Sequence, residues 1–358
     1  MPSDGPAKVA ITTAPPPVPA SGAGPSGDVP RAVHALMFVR DRGILLLWML
    51  LVAGFGVWCR PFFATTGNAL LIADAAALTA IYAAGVAVGV MSGALDLSIP
   101  GTAAMAGVIA GWLLTHGQPV WLALPAGVAV GVAVGLVTGL VSIRGCNTII
   151  VTIGTLSVLS GLAAVVAGGY TIPGLDALTF LGTRRYAGVP APVYVVLVLF
   201  LVLTLFLTRT RGGIRLMAVG GNAEAVRRCG IHSDRYKVAG FVVSGLCAAV
   251  GGLVSAAVVT EASPEASPGI IFSALTAVAL AGVALSGGRG SLPRVLVGAL
   301  ILATISNGLT LKGVQPYWGT TVTGALLLGS LVLDRAVSSA VSARLIASAG
   351  LSVHSAKE

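Results

Sequence analysis

The stretch "VGVAVGLVTGLVSI", residues 130–143, decides the fold. It holds no charged residue and lies in an apolar run that reads as one segment over 119–142. A helix of that length, at about 1.5 Å per residue, covers the roughly 30 Å hydrocarbon core of a bilayer. A buried strand of a soluble α/β protein ends after about 4–8 residues and is followed by a polar helix face, which is absent here. Gly131, Gly135 and Gly139 recur every fourth residue. That spacing lets a second helix approach backbone to backbone, where lipid provides no hydrophobic drive for association. Packing inside one subunit is the plainer reading of this stripe, and a seam between two subunits is the sharper one.

Working outward, similar runs fill most of the 358 residues. Only 9% are charged, against about 25% in soluble domains. Hydrophobic residues make up 56%, and glycine supplies 48 positions. The sequence predicts an all-α polytopic membrane protein with about ten spans, near 43–59, 74–92, 99–115, 119–142, 148–168, 190–208, 236–259, 270–287, 293–310 and 317–334. Residues 1–40 are rich in Pro, Ala and Gly and too poor in large apolar groups to offset chain entropy, so they read as a disordered tail. The permeation domain is expected over 41–335, with a long polar loop at 209–237 and a C-terminal tail over 336–358.

Ten spans put both termini on one side. With that side cytoplasmic, 17 of the 21 basic residues lie inside and four (Arg60, Arg184, Arg185 and Lys312) lie outside, as the positive-inside rule requires. The net charge of +9 is therefore topological and does not point to nucleic acid. The four cysteines are scattered without a CxxC pair, and the histidines are isolated, which argues against a metal site. There is no GxxxxGK[ST] phosphate loop. "LSGGRG" (285–290) links two apolar runs and reads as a tight inner turn that uses the permissive dihedrals of Gly287, Gly288 and Gly290. The chain is accordingly expected to bind no cofactor and to catalyse no reaction itself.

The long inner loop contains "GGNAEAVRRCGI" (220–231). Asn222 is a good N-cap. Glu224 falls in the first turn and Arg227 and Arg228 in the last, each on the side that the helix dipole favours. Gly230 stands where a left-handed residue closes a helix, and Gly220 and Gly221 free the entry. So short a helix is marginal alone in water and needs a supporting surface. A solvated loop helix is the plain reading, and a docking element for a cytoplasmic partner is the sharper one.

Here the sequence resembles a known family. "AVGGNAEAVRRCGI" (218–231) looks like the cytoplasmic loop of permease subunits of bacterial ABC importers for ribose, xylose and related sugars, with Cys229 where Ser is usual. "SGALDLSIPGTAAMAGVIAG" (92–111), "NTIIVTIGTLSVLSGLAAVVAGG" (147–169) and "LSGGRGSLPRVLVGALILATISNGLTLKGV" (285–314) resemble further family segments in the same order. Three departures stand out. Pro100 replaces a glycine, an isoleucine at 149 or 150 replaces a phenylalanine, and "SPGIIFSALTA" (267–277) lacks two acidic positions.

The resemblance implies a multi-pass protein of the bacterial inner membrane whose motor is a separate cytoplasmic ATPase. It also implies an extracytoplasmic solute-binding protein and a second permease copy, identical or related. Docking to the ATPase would rest on Asn222, Glu224, Ala225, Arg227, Arg228 and Gly230. For the solute pathway the polar groups within or beside the spans are the candidates: Asp96, Ser98, Thr152, Thr155, Asn307 and Thr310. Asp96 can equally cap the helix that begins near Pro100, Asn307 can serve interhelical packing, and the threonines can bond their own backbone. A neutral sugar fits a path so poor in charge, as do nucleosides and polyols. An ion-coupled carrier would lean on Asp74 or Asp96, and a purely structural membrane subunit is the third possibility.

Overall fold

The computed structural model describes the backbone of residues 31–348 and the side chains of 43–332 and 335. The remaining parts of the expected tails, 1–30 and 349–358, lie outside the described residues. Contacts divide the chain between Asp41 and Arg42. Of the first unit only the helical backbone of 31–41 is described. The helical bundle belongs to the second unit.

Helices dominate. They are α1 (Arg31–Trp58), α2 (Thr66–Met91), α3 (Ile99–Thr115), α4 (Val120–Ser142), α5 (Thr148–Val166), α6 (Thr179–Gly182), α7 (Ala191–Arg209), α8 (Arg211–Gly221), α9 (Ala223–Arg228), α10 (Ser233–Val259), α11 (Pro268–Leu280), α12 (Leu292–Leu311) and α13 (Pro316–Ser348). Each expected span falls on one of them. Among the described residues, α2, α4, α5, α7, α10 and α12 are long and apolar enough to cross a membrane. The Gly43–Trp58 part of α1, α3 and α11 are shorter apolar helices.

Several boundaries differ from the sequence expectation. α1 starts at Arg31, inside the expected tail, because "RAVHALMFVR" lacks proline and consists mostly of residues compatible with a helix. α13 runs on to Ser348 through a segment expected to be tail. α2 begins eight residues early at Thr66, where Thr65 Oγ1 accepts the Asn68 N–H. α11 stops at Leu280, and two residues later Gly282 takes a left-handed conformation at φ 67°. Among the described residues four two-residue strands also form: β1 (Ile172–Pro173) pairs antiparallel with β4 (Glu261–Ala262), and β2 (Arg185–Tyr186) with β3 (Val189–Pro190).

The core is built around α2 and α10. From Ala80 to Met91 every residue of α2 is buried. α10 lies against α2, α3 and α4, and its seam with α4 is made by glycine. A Cβ on Gly131 would lie 2.2 Å from the Gly245 carbonyl oxygen, and one on Gly135 would lie 2.4 Å from that of Phe241. The glycine stripe at 131–139 thus packs inside the subunit, in agreement with the plainer reading. Outward faces of α5 and α7 stay apolar and uncovered, Ile150 being 71% and Val165 77% exposed.

The connections sort into two ends. At one end β1 meets β4, which joins the 170–173 and 261–262 connections. At the other, the 92–98 connection, α8 and the 285–290 turn come together, with Gly288 N–H donating to the Met91 carbonyl at 3.1 Å. Segments that the charge count assigns to the same side are therefore spatial neighbours.

Candidate functional site

The 209–237 loop opens with an element that the sequence reading missed. α8 is an amphipathic helix whose N-cap Thr210 accepts the Gly213 N–H at 3.0 Å, and it buries Gly213, Leu216 and Val219. Arg215 Nη1 donates to the Tyr236 hydroxyl at 3.2 Å, which ties α8 to α10.

α9 comes next after one residue. The Ala225 N–H donates to Asn222 Oδ1 at 2.9 Å, so the expected N-cap is formed. Glu224 pairs with Arg227 and, at 3.4 Å, with Arg228. The hydrogen bond and charge of Arg227 hold the Glu224 carboxyl below its ordinary range. Gly230 adopts φ 78°, and the Ile231 N–H reaches back to the Val226 carbonyl at 3.3 Å, which closes the helix. None of the six residues of α9 is fully buried. Ala223, Val226 and Ile231 are half-buried, whereas Glu224, Arg227 and Arg228 are exposed. The element is capped at both ends, charged and open on one face.

The glycine pair before it has a different role from the one expected. Gly220 and Gly221 end α8, and they make contact with the bundle. A Cβ on Gly220 would lie 1.9 Å from the Met91 carbonyl oxygen and 2.9 Å from the Gly288 nitrogen. Gly287 and Gly288 both have positive φ, and a Cβ on Gly287 would lie 2.5 Å from the Gly220 oxygen. Gly290 keeps an ordinary φ, and its missing side chain makes room for the Met91 sulfur. Three backbones therefore meet without side chains between them: the end of α2, the end of α8 and the 285–290 turn.

A family model described as "Branched-chain amino acid transport system / permease component" matches residues 68–331, which include this joint and all of α9. The chain belongs to this permease family.

Relatives agree across nearly the whole permease. It is 32% identical to the L-arabinose transport system permease protein AraH of Escherichia coli (strain K12), over 82% of this chain and 90% of that protein. It is 31% identical to the D-allose transport system permease protein AlsC of the same organism, over 84% of this chain and 94% of that one. Identity to the ribose import permease protein RbsC of Bacillus subtilis (strain 168) is 32%, over 77% and 87%. No solved structure matches the chain. Family and apolar helices together make it a multi-pass protein of the bacterial inner membrane.

Within the permease the six expected pathway residues do not converge. Asp96 and Ser98 are buried together in the connection before α3. Asp96 Oδ1 accepts the Ser98 N–H at 2.9 Å and the Ser98 hydroxyl at 2.6 Å, and Oδ2 accepts the Ser244 hydroxyl of α10 at 2.7 Å. This carboxylate is a brace between the connection and α10. Thr152 donates to the Ile149 carbonyl, Thr155 to that of Val151 and Thr310 to that of Ser306. Each threonine thus bonds its own helix. The Thr138 hydroxyl also meets that of Thr155 at 3.4 Å across α4 and α5. Asn307 Nδ2 donates to Asn68 Oδ1 at 2.8 Å, which joins α12 to α2. Ser244 and Asn68 were missed because their roles depend on partners 148 and 239 residues away.

Proposed function

We propose that the protein is the membrane-spanning permease subunit of an ATP-binding cassette importer. It carries a monosaccharide or a similar small polar solute inward, and a separate cytoplasmic ATPase supplies the energy. The chain crosses the membrane about ten times with both termini cytoplasmic. α9 docks on the ATPase through Asn222, Glu224, Ala225, Arg227, Arg228 and Gly230. A solute-binding protein delivers the cargo from the other side, and a second permease copy completes the path. The chain holds no cofactor of its own.

The observation that carries this reading is the glycine joint. α9 has little buried surface of its own, yet only two residues separate it from Gly220, whose backbone meets α2 and the 285–290 turn. From the end of α2 the chain passes to Asp96, whose carboxylate grips Ser244 on α10. A displacement of α9 therefore reaches both central helices through stiff elements. The named sugars of the relatives support the substrate class, and the basic residues gathered at this end support its cytoplasmic placement.

The test is uptake in proteoliposomes that contain permease, ATPase and binding protein. Gly230→Pro removes the left-handed closure of α9, because proline cannot adopt positive φ. It should leave expression intact, abolish uptake and leave basal ATP hydrolysis running. Normal uptake in this variant would remove α9 from the mechanism.

One observation favours ion coupling instead. Asp74 on α2 is an ionisable side chain in an apolar helix, with one carboxylate oxygen buried and without a hydrogen-bond partner, and carboxylates in such helices mark ion pathways in pumps and transporters. Uptake that tracks an imposed proton gradient and ignores ATP would establish that reading.

A further inference from the structure

A cleft of about 140 Å³ enters the bundle beneath the connection that holds Glu261 and Glu265. It reaches Tyr82, part-way along α2, between α3 and α10. It is hollow because its walls are small: Ala103, Ala104 and Gly107 on one side, Gly252 and Ala256 on the other. Close contacts fix its shape. A Cβ on Gly252 would lie 2.1 Å from the Ala103 carbonyl oxygen, and one on Gly251 would lie 2.4 Å from the Tyr82 ring.

The chemistry of the lining is specific. At the inner end the Tyr82 and Ser255 hydroxyls lie 2.9 Å apart. Such a pair spends one hydrogen on itself and keeps one hydrogen and several lone pairs for a third group. The side walls are apolar. At the mouth Glu261 and Glu265 are exposed, and neither forms a salt bridge among the described residues. No basic side chain lines the cleft. Carboxylates accept strongly from hydroxyl donors, the small apolar walls suit C–H faces, and the inner hydroxyl pair both donates and accepts. No basic side chain is present to neutralise an anion, and no carboxylate lies at the inner end to neutralise a cation. The mouth also includes Ser267 and Ile270 of "SPGIIFSALTA", the stretch that departs most from the family pattern.

We propose that this cleft holds the transported solute inside the permease, that it takes a neutral polyhydroxylated molecule, and that the Tyr82 and Ser255 hydroxyls select it. The proposal rests on the transport reading above. It places selection away from the six polar positions singled out in the sequence.

Two measurements on the full complex test it. In the first, Ala104→Cys is labelled with a maleimide in the presence of D-ribose, L-arabinose, putrescine or no addition, and labelling at position 104 is read by mass spectrometry. Protection by either sugar is expected. Protection by putrescine alone would overturn the solute class, and no protection by any of them would overturn the site. In the second, Tyr82→Phe, which keeps the ring against Gly251, is assayed for sugar uptake. Loss of one hydroxyl partner should raise the half-saturating concentration about tenfold and leave the maximal rate unchanged. Wild-type uptake that Tyr82→Phe leaves unaltered would defeat the cleft and spare the importer. Protection at position 104 in a complex whose uptake ignores ATP would defeat the importer and spare the cleft.

Discussion

Replacing Gly220 with alanine inserts one methyl group into the joint between α8, α2 and the 285–290 turn. That methyl would lie 1.9 Å from the Met91 carbonyl oxygen, about 1.5 Å inside ordinary contact distance. Backbone atoms on both sides cannot rotate away, so the elements must part. Overpacking of this kind costs about 1–3 kcal/mol, which outweighs the gain of up to about 1 kcal/mol in helix propensity. If the joint is closed in one access state and loosened in the other, the same 1–3 kcal/mol shifts their balance about 5–150-fold. Gly221 is the control. A methyl there meets its nearest neighbour, the Gly288 Cα, at 3.7 Å, which is an ordinary contact. Solute uptake and ATP hydrolysis by the reconstituted complex should therefore fall out of step in Gly220→Ala and stay coupled in Gly221→Ala. Equal coupling in the two variants would refute the role of the joint.

The same geometry predicts three further outcomes. Ser244→Ala removes one of the three hydrogen bonds to the buried Asp96 carboxylate. It should cost about 1.5–3 kcal/mol of stability, read as a lower melting temperature of the purified permease, with Asp96→Ala costing more. Asn222→Ala removes the N-cap of α9 and should cost about 1 kcal/mol of local stability, measured as faster amide exchange at Ala225, whereas Asn222→Asp should retain protection. Glu224 has its carboxyl pKa lowered by Arg227, so its contribution is present above the unfolded-state value and is lost as pH falls through the lower folded value. Amide exchange in α9, corrected for intrinsic rates, should thus be flat with pH across the neutral range and rise only in acid, and Glu224→Gln should abolish that acid step.

Local chemistry was legible in the sequence, and distant partners were not. The cap at Asn222, the closure at Gly230 and the charge order of Glu224, Arg227 and Arg228 all depend on residues within one short helix, and the structure forms each of them. Gly220 and Gly221 looked equally local, yet Gly220 is fixed by backbones at positions 91 and 288 that no neighbouring residue reveals. α8 escaped notice because its buried positions 213, 216 and 219 are few and lie among arginines. The end of α11 was misplaced because the apolar composition continues past Gly282, where a positive φ turns the chain. In the sequence Asp96 reads as either a pathway residue or a cap for the helix near Pro100, whereas α3 has no side-chain cap hydrogen bond and the grip on Ser244 comes from the packing of α10 against the connection before α3. Two-residue strands such as β1 and β4 carry no periodic signal at all.

On the proposed function the motor lies in another chain and acts through α9. This is tested by uptake of labelled D-ribose, L-arabinose or D-allose into proteoliposomes that contain the permease and its binding protein, with and without the ATPase subunit and ATP. Accumulation of one of these sugars that requires both the ATPase and ATP is the predicted result. Accumulation without the ATPase would show that the permease is driven by something other than that motor.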